Sequence, residues 1–203
     1  NPFDLSQTWH LAKEGWRGIL VEPIPELCEK LRMKRADSIV IEAACGSPNA
    51  PSTATFTVAK DSGKSTLSSA FLDKRSDVES QITVHVRTLN DILEEADVTQ
   101  IDFVSIDVEG TQYEVLRGFD LQKWKPRLLL VEDHLLDTKT HKLILGQQYI
   151  LVKRTLFNNW YIPHGAEKPP TGKGEDRILR GKLRRIPIRK LRFRLRRLIG
   201  KGI

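Results

Sequence analysis

The 203-residue chain is 39% hydrophobic and 29% charged, which suits one globular domain with appendages. No apolar run approaches the roughly 20 residues of a membrane span, and no basic-then-apolar leader opens the chain, so the sequence predicts a soluble, cytosolic protein. The net charge of +7 joins two opposites: Lys173–Ile203 carries 13 Lys and Arg against 2 acids, while the rest carries 20 against 24, so the basic character belongs to the tail.

Asn1 to Thr8 reads as a turn giving way to a helix, with Trp9, Leu11 and Ala12 as apolar positions and Gly15 as the stop. Gly18–Glu22 is a short strand ending on an acid, and Pro25–Lys34 carries Leu27, Cys28 and Leu31 at helical spacing, together a β-α unit. Ser38–Gly46 predicts one further strand, closed by Gly46, Pro48 and Pro51. Thr53–Val58 then alternates as a surface strand does. The two cysteines, Cys28 and Cys45, fall in helix-like and strand-like contexts and are expected as reduced thiols, without a zinc-binding spacing.

Asp61–Ser69 is a polar loop containing Gly63-Lys64-Ser65-Thr66, which looks like the end of a phosphate-binding loop. Val58 stands where such a loop needs its first glycine, and no helical pattern follows, so a nucleoside-triphosphate site is excluded and a loop over a pocket is left. Ile82–Val86 alternates again, and Thr88 is placed to cap a helix running through Ala96.

Ile101, Phe103, Val104 and Ile106 form a strand-length apolar run closed by Asp107 and Glu109. Gly110 then opens an amphipathic helix carrying Tyr113, Val115 and Leu116. Ligands of open parallel α/β sheets bind at the carboxyl ends of the strands, which sets both acids on a functional rim. The plainer alternative is that they cap the helix, favoured by its dipole. Arg127–His134 is a second buried strand ending in Glu132, Asp133 and His134. Leu135–Leu145 reads as helix, Tyr149–Thr155 as strand, and Leu156–Pro163 as an extended piece with Trp160 and Tyr161. The alternation predicts an α/β domain with a largely parallel sheet that delivers Glu22, Asp107, Glu109, Glu132 and Asp133 to one edge. Residues 1–164 form that domain, 165–174 a linker and 175–203 a basic amphipathic tail.

Three blocks in order, Gly15-Trp16-Arg17-Gly18-Ile19-Leu20-Val21-Glu22-Pro23, Val86-Arg87-Thr88-Leu89 and Ile101–Gly110, resemble the FkbM family of S-adenosylmethionine-dependent methyltransferases. The likeness spans roughly Pro2 to His134. It implies a Rossmann-like class I methyltransferase sheet and O-methylation of a hydroxyl on a sugar, glycolipid or other natural product. It implies that Glu22, followed by Pro23, holds the cofactor ribose, that Ala44 and Cys45 lie near the adenine, and that Asp107 and Glu109 face the methyl-transfer site. It also implies a first strand with a glycine-rich turn, seated between the strands ending at Glu22 and Asp107. The chain starts beyond that strand, so the expectation is a fragment, because two buried strands would otherwise keep unpaired backbone groups. Gln112 stands where the family more often has an acid.

Methyl transfer to a hydroxyl needs a positioned acceptor and a base, for which Asp107, Glu109 and His134 are candidates. Histidine has the most suitable ordinary pKa, near 6.5, and a carboxylate needs burial to reach that range; a histidine at a strand end also serves as a plain structural hydrogen-bonder. Asp107, Asp133 and His134 gathering a divalent cation is the other arrangement, and spacing does not choose between metal and no metal.

In the tail, Leu179, Leu183 and Ile186 share one helical face, as do Leu191, Leu195 and Leu198, with Pro187 between them. A basic amphipathic segment of this kind suits an anionic membrane surface and a peripheral location. Nucleic acid is the less favoured partner, since Phe193 is the tail's sole aromatic and stacking platforms are lacking. The remaining class is a non-catalytic binding module that keeps the fold and holds an anionic partner through the tail.

Overall fold

The computed structural model describes residues 6–61, 63, 65–68, 78–133, 138–170, 172–188, 191–192 and 195. Its described elements are α1 (Trp9–Lys13), β1 (Ile19–Glu22), α2 (Pro25–Lys34), β2 (Ile39–Glu42), β3 (Ala44–Cys45), β4 (Thr53–Ala59), β5 (Val78–Arg87), α3 (Leu89–Glu95), β6 (Phe103–Ile106), α4 (Gln112–Arg117), α5 (Leu121–Trp124), β7 (Leu128–Glu132), α6 (Lys139–Gly146), β8 (Tyr149–Thr155), β9 (Asn158–Pro163) and α7 (Lys173–Arg184).

Local chemistry explains most boundaries. Gly15 stops α1 with φ +84°, a conformation that costs glycine little. Pro25 opens α2 at the one helical position where its missing N–H costs nothing. Thr88 caps α3, its hydroxyl accepting from the Asp91 N–H at 3.0 Å. The short α5, which no hydrophobic period announces, is nucleated by Asp120, whose carboxylate accepts from the N–H groups of Gln122 and Lys123.

The expected largely parallel sheet is corrected by the pairing, which is mixed. β1 and β2 pair parallel, Ile19 opposite Ile39 and Glu22 opposite Glu42. β5 carries β3 parallel on one side and β4 antiparallel on the other. The third sheet runs β6-β7-β9-β8, with β6 and β7 parallel and the remaining pairs antiparallel. The strand expected over Ser38–Gly46 is two strands in different sheets. Ala43 N–H makes the last bond toward β1, to the Glu22 carbonyl, and the small residues beyond it let the chain switch to Val86 and Arg87. Leu156 lies in a tight turn with φ +53° between β8 and β9, exposed, instead of in an extended piece.

Two cores result. The larger gathers Ile106, Val115, Leu116, Phe119, Leu129, Val131, Ile144, Tyr149 and Tyr161. Both buried tyrosine hydroxyls are satisfied: Tyr149 donates to the Pro126 carbonyl at 2.8 Å, and Tyr161 lies 3.0 Å from His141 Nδ1. A smaller cluster of Ile24, Ala44, Phe56 and Val84, backed by Leu27, Val58, Leu67 and Ile82, joins α2 to the β4–β5 hairpin. Among the described residues no strand pairs with the second edge of β1 or of β6. Phe103 to Ser105 are accordingly only half-buried, whereas Leu129 to Val131 on β7 are buried.

The C-terminal helix α7 lies against β8, and Lys153 on that strand pairs with Glu175 at 3.1 Å. Leu179 and Leu183 are half-buried and Ile186 buried, so the face read from their spacing is the one turned inward. The chain turns at Arg185 and is helical again over 186–188, around Pro187. Leu198, placed on the second face, lies outside the described residues. No helix among them is long and apolar enough to cross a membrane.

Candidate functional site

The carboxyl ends of β1, β3 and β6 converge on a cavity of about 220 Å³. Glu22, Pro23, Ala44, Cys45, Asp107 and Glu109, each singled out from the sequence, all line it. Ile24, Leu27, Phe56 and Leu67 form its apolar wall, which is the smaller core seen from inside. Apolar walls with a few convergent polar groups are the usual make-up of a small-molecule site.

Glu22 is fixed by its own neighbours. The Ile24 N–H donates to its Oε1 at 2.9 Å, and the Cys28 thiol donates to its carbonyl at 3.0 Å. Burial raises the Glu22 carboxyl above the ordinary range, and the Ile24 N–H opposes that shift. The surface position that a strand-end acid before a proline-started helix would occupy is therefore not the one observed. Both cysteines are thiols. Burial, then Glu22 and Glu42, push Cys28 up to about 11, and burial pushes Cys45 up to about 12 against the pull of Arg87.

Past Cys45 the chain is clamped. A Cβ on Gly118 would come within 2.4 Å of the Gly46 carbonyl oxygen, so only glycine lets the end of α4 approach the β3 edge this closely.

The opposite end of the cavity is a turn. After β6, Asp107 is exposed; Glu109 takes φ +47° and Gly110 φ +103°, two successive left-handed residues. α4 begins only at Gln112, with Thr111 at its N-cap and no cap bond from the Thr111 side chain. Gln112 is buried.

Sequence reasoning placed Glu132 only among the rim acids. The β6–β7 register sets Ile106 opposite Val131, which makes Asp107 and Glu132 the next cross-strand neighbours. Burial first, then Asp107, which hydrogen-bonds to it, and Glu109 push the Glu132 carboxyl up to about 7. The signal available in the sequence was the like position of the two acids, each directly after an apolar run of strand length. The backbone carbonyl of Asp133 accepts from Arg154 Nη1 at 2.9 Å and from Asn159 Nδ2 at 3.0 Å. Asn159 is fully buried and also donates to the Val131 carbonyl, so it braces both sides of Glu132.

His134 and Lys64 lie outside the described residues. The expected cluster of Asp107, Asp133 and His134 therefore lies partly outside them, and among the described residues no group of three or more His, Cys, Asp and Glu is arranged to hold a metal ion.

A family model described as a methyltransferase FkbM domain matches residues 4–150. No curated protein and no solved structure matches the chain.

Proposed function

Because the chain belongs to the FkbM methyltransferase family and is an S-adenosylmethionine-dependent methyltransferase, we propose that it methylates a hydroxyl of a sugar, glycolipid or other natural product. The observation that carries this reading is the cavity itself, with Glu22 at one end, an apolar wall in the middle and Asp107 and Glu109 at the other end. The donor set fits the cofactor: a fixed carboxylate for a ribose diol, flat apolar surface for an adenine, and acids for a sulfonium.

Glu22, held by Ile24, accepts from the ribose hydroxyls, with Pro23 beside it. Ala44 and Cys45 border the adenine, and the Cys45 thiol stays protonated at neutral pH. The bound cofactor supplies a methyl group activated by its sulfonium. Bound there, it would yield that methyl to the acceptor oxygen and be left as the neutral thioether. The hydroxyl proton passes to Asp107, with Glu132 beside it to share the proton. The cavity wall orients the acceptor. Activity should therefore rise as pH climbs through about 7, where Glu132 gives up its proton.

A second part of the reading concerns the tail. Ile178, Ile188, Leu191 and Leu195 are exposed among the exposed Arg177, Arg180, Arg184, Arg185 and Arg192. This supports an anionic membrane surface as the partner of residues 175–203, bringing a peripheral enzyme to a lipid-linked acceptor.

The test is calorimetric titration of S-adenosylhomocysteine, followed by incubation with methyl-labelled cofactor and a panel of polyols, sugars and glycolipids. The reading expects binding and a methyl ether on an acceptor oxygen. A folded chain that binds no S-adenosylhomocysteine, or label recovered on nitrogen or sulfur alone, overturns it.

A further inference from the structure

The loop that superficially resembled a phosphate site has another role. Gly63, Ser65 and Leu67 line the same cavity as Asp107, Val108 and Glu109, so the loop crosses from the β4–β5 hairpin to the turn after β6. It is pinned at both ends. Thr66 exchanges both backbone bonds with Thr57 on β4 at 3.0 Å, and the Ser65 hydroxyl accepts from the Ala59 N–H at 3.0 Å. On the other side the hydroxyl of Thr66, a residue 1% exposed, donates to the Glu109 carbonyl at 2.8 Å and accepts from the Ser68 N–H at 2.9 Å.

That contact falls on the strained position of the turn. Glu109 is not glycine, asparagine or aspartate, yet it holds φ +47°, an uncommon conformation for a residue of its size. A left-handed residue sends its side chain in a different direction from an extended or right-handed one. The Thr66 bond holds the carbonyl of the peptide from which that side chain departs, and Glu109 lines the cavity.

We infer that Thr66 is a positioning residue for Glu109: its hydroxyl locks the left-handed peptide so that the Glu109 carboxylate faces the cofactor's sulfonium. This rests on the cofactor reading above and adds to it a specific pair, one residue on the hairpin loop and one on the β6 turn. A carboxylate so placed favours the charged sulfonium of S-adenosylmethionine over the neutral thioether of S-adenosylhomocysteine. The loop carrying Thr66 thus makes the site discriminate cofactor from product.

The experiment is a double-mutant cycle with Thr66→Val and Glu109→Gln, in which the affinities for S-adenosylmethionine and S-adenosylhomocysteine are both measured by calorimetry and Tm is recorded. Each single variant should lower the affinity for S-adenosylmethionine relative to S-adenosylhomocysteine by roughly threefold to tenfold. The double variant should lose no more than either alone, and Thr66→Ser, which keeps the hydroxyl, should stay within about twofold of wild type. Thr66→Ala carries the same cycle if the valine variant fails to fold. Equal weakening of both ligands, an unchanged ratio, or losses that multiply in the double variant would show Thr66 to be merely structural and overturn the inference. Wild-type protein that binds neither ligand would sink the cofactor reading itself, a distinct result.

Discussion

Glu22 and Glu132 both end parallel strands on the acidic rim, and burial raises both carboxyls, yet they are built for different work. Glu22 is served by a nearby donor, the Ile24 N–H, and although Glu42 stands opposite it on β2, burial and not a second acid raises it. Glu132 is served by another acid, Asp107, and feels Glu109 as well. A carboxylate held by a fixed N–H is a good acceptor for a ligand's hydroxyls. One held beside a second carboxyl shares a proton and titrates near neutrality. Similar burial thus yields a binding end and a proton-handling end.

The strongest way to disturb the comparison is at its buried brace. Asn159→Leu keeps the number of side-chain heavy atoms but removes the donor to the Val131 and Asp133 carbonyls on either side of Glu132. We expect a loss of about 3 kcal/mol, read as a Tm drop of roughly 6–12 °C; a Tm within 2 °C of wild type would show that the β7 end does not depend on it.

At the other end, Glu22→Gln keeps shape and removes charge. It should weaken S-adenosylhomocysteine by about ten- to fiftyfold, the worth of a charged hydrogen bond, with little change in Tm. Affinity within threefold of wild type would mean that Glu22 does not touch the ligand.

Glu132→Gln sharpens the contrast through pH. A carboxyl whose folded pKa is raised contributes stability that is complete below its unfolded value, near 4.5, and is lost as pH rises to about 7. The Gln variant should lose most of that decline. The gain above pH 7 is about 1 kcal/mol once solvent screening at this half-open rim is allowed for, roughly 2–4 °C in thermal unfolding. The rise of activity through pH 7 should flatten with it. Glu22 shifts in the same direction and leaves a residual slope. Identical pH profiles for the variant and wild type would remove Glu132 from the proton path.

The smallest effect on either end should come from the tail. Replacing Arg177, Arg180, Arg184 and Arg185 by Glu should leave S-adenosylhomocysteine affinity within about twofold while abolishing sedimentation with vesicles rich in anionic lipid. Retained vesicle binding would separate the basic helix from membranes.

The sequence determined what depends on neighbours within a turn or two. Pro25 and Thr88 fixed helix starts, Gly15 a stop, and apolar runs ending in acids marked where Glu22, Asp107, Glu109 and Glu132 would stand, because capping, φ restriction and side-chain period act over a few residues. The spacing of Leu179, Leu183 and Ile186 likewise announced the inward face of α7. Tertiary structure decided what depends on residues far apart in the chain. It split Ser38–Gly46 between two sheets, since which strand offers its edge at Ala43 is not written in Ala43. It brought Thr66 to Glu109 across 43 positions. It also made Glu132 different from Glu22, because a carboxyl's proton affinity is set by the burial and charge around it, which only the β6–β7 register supplied.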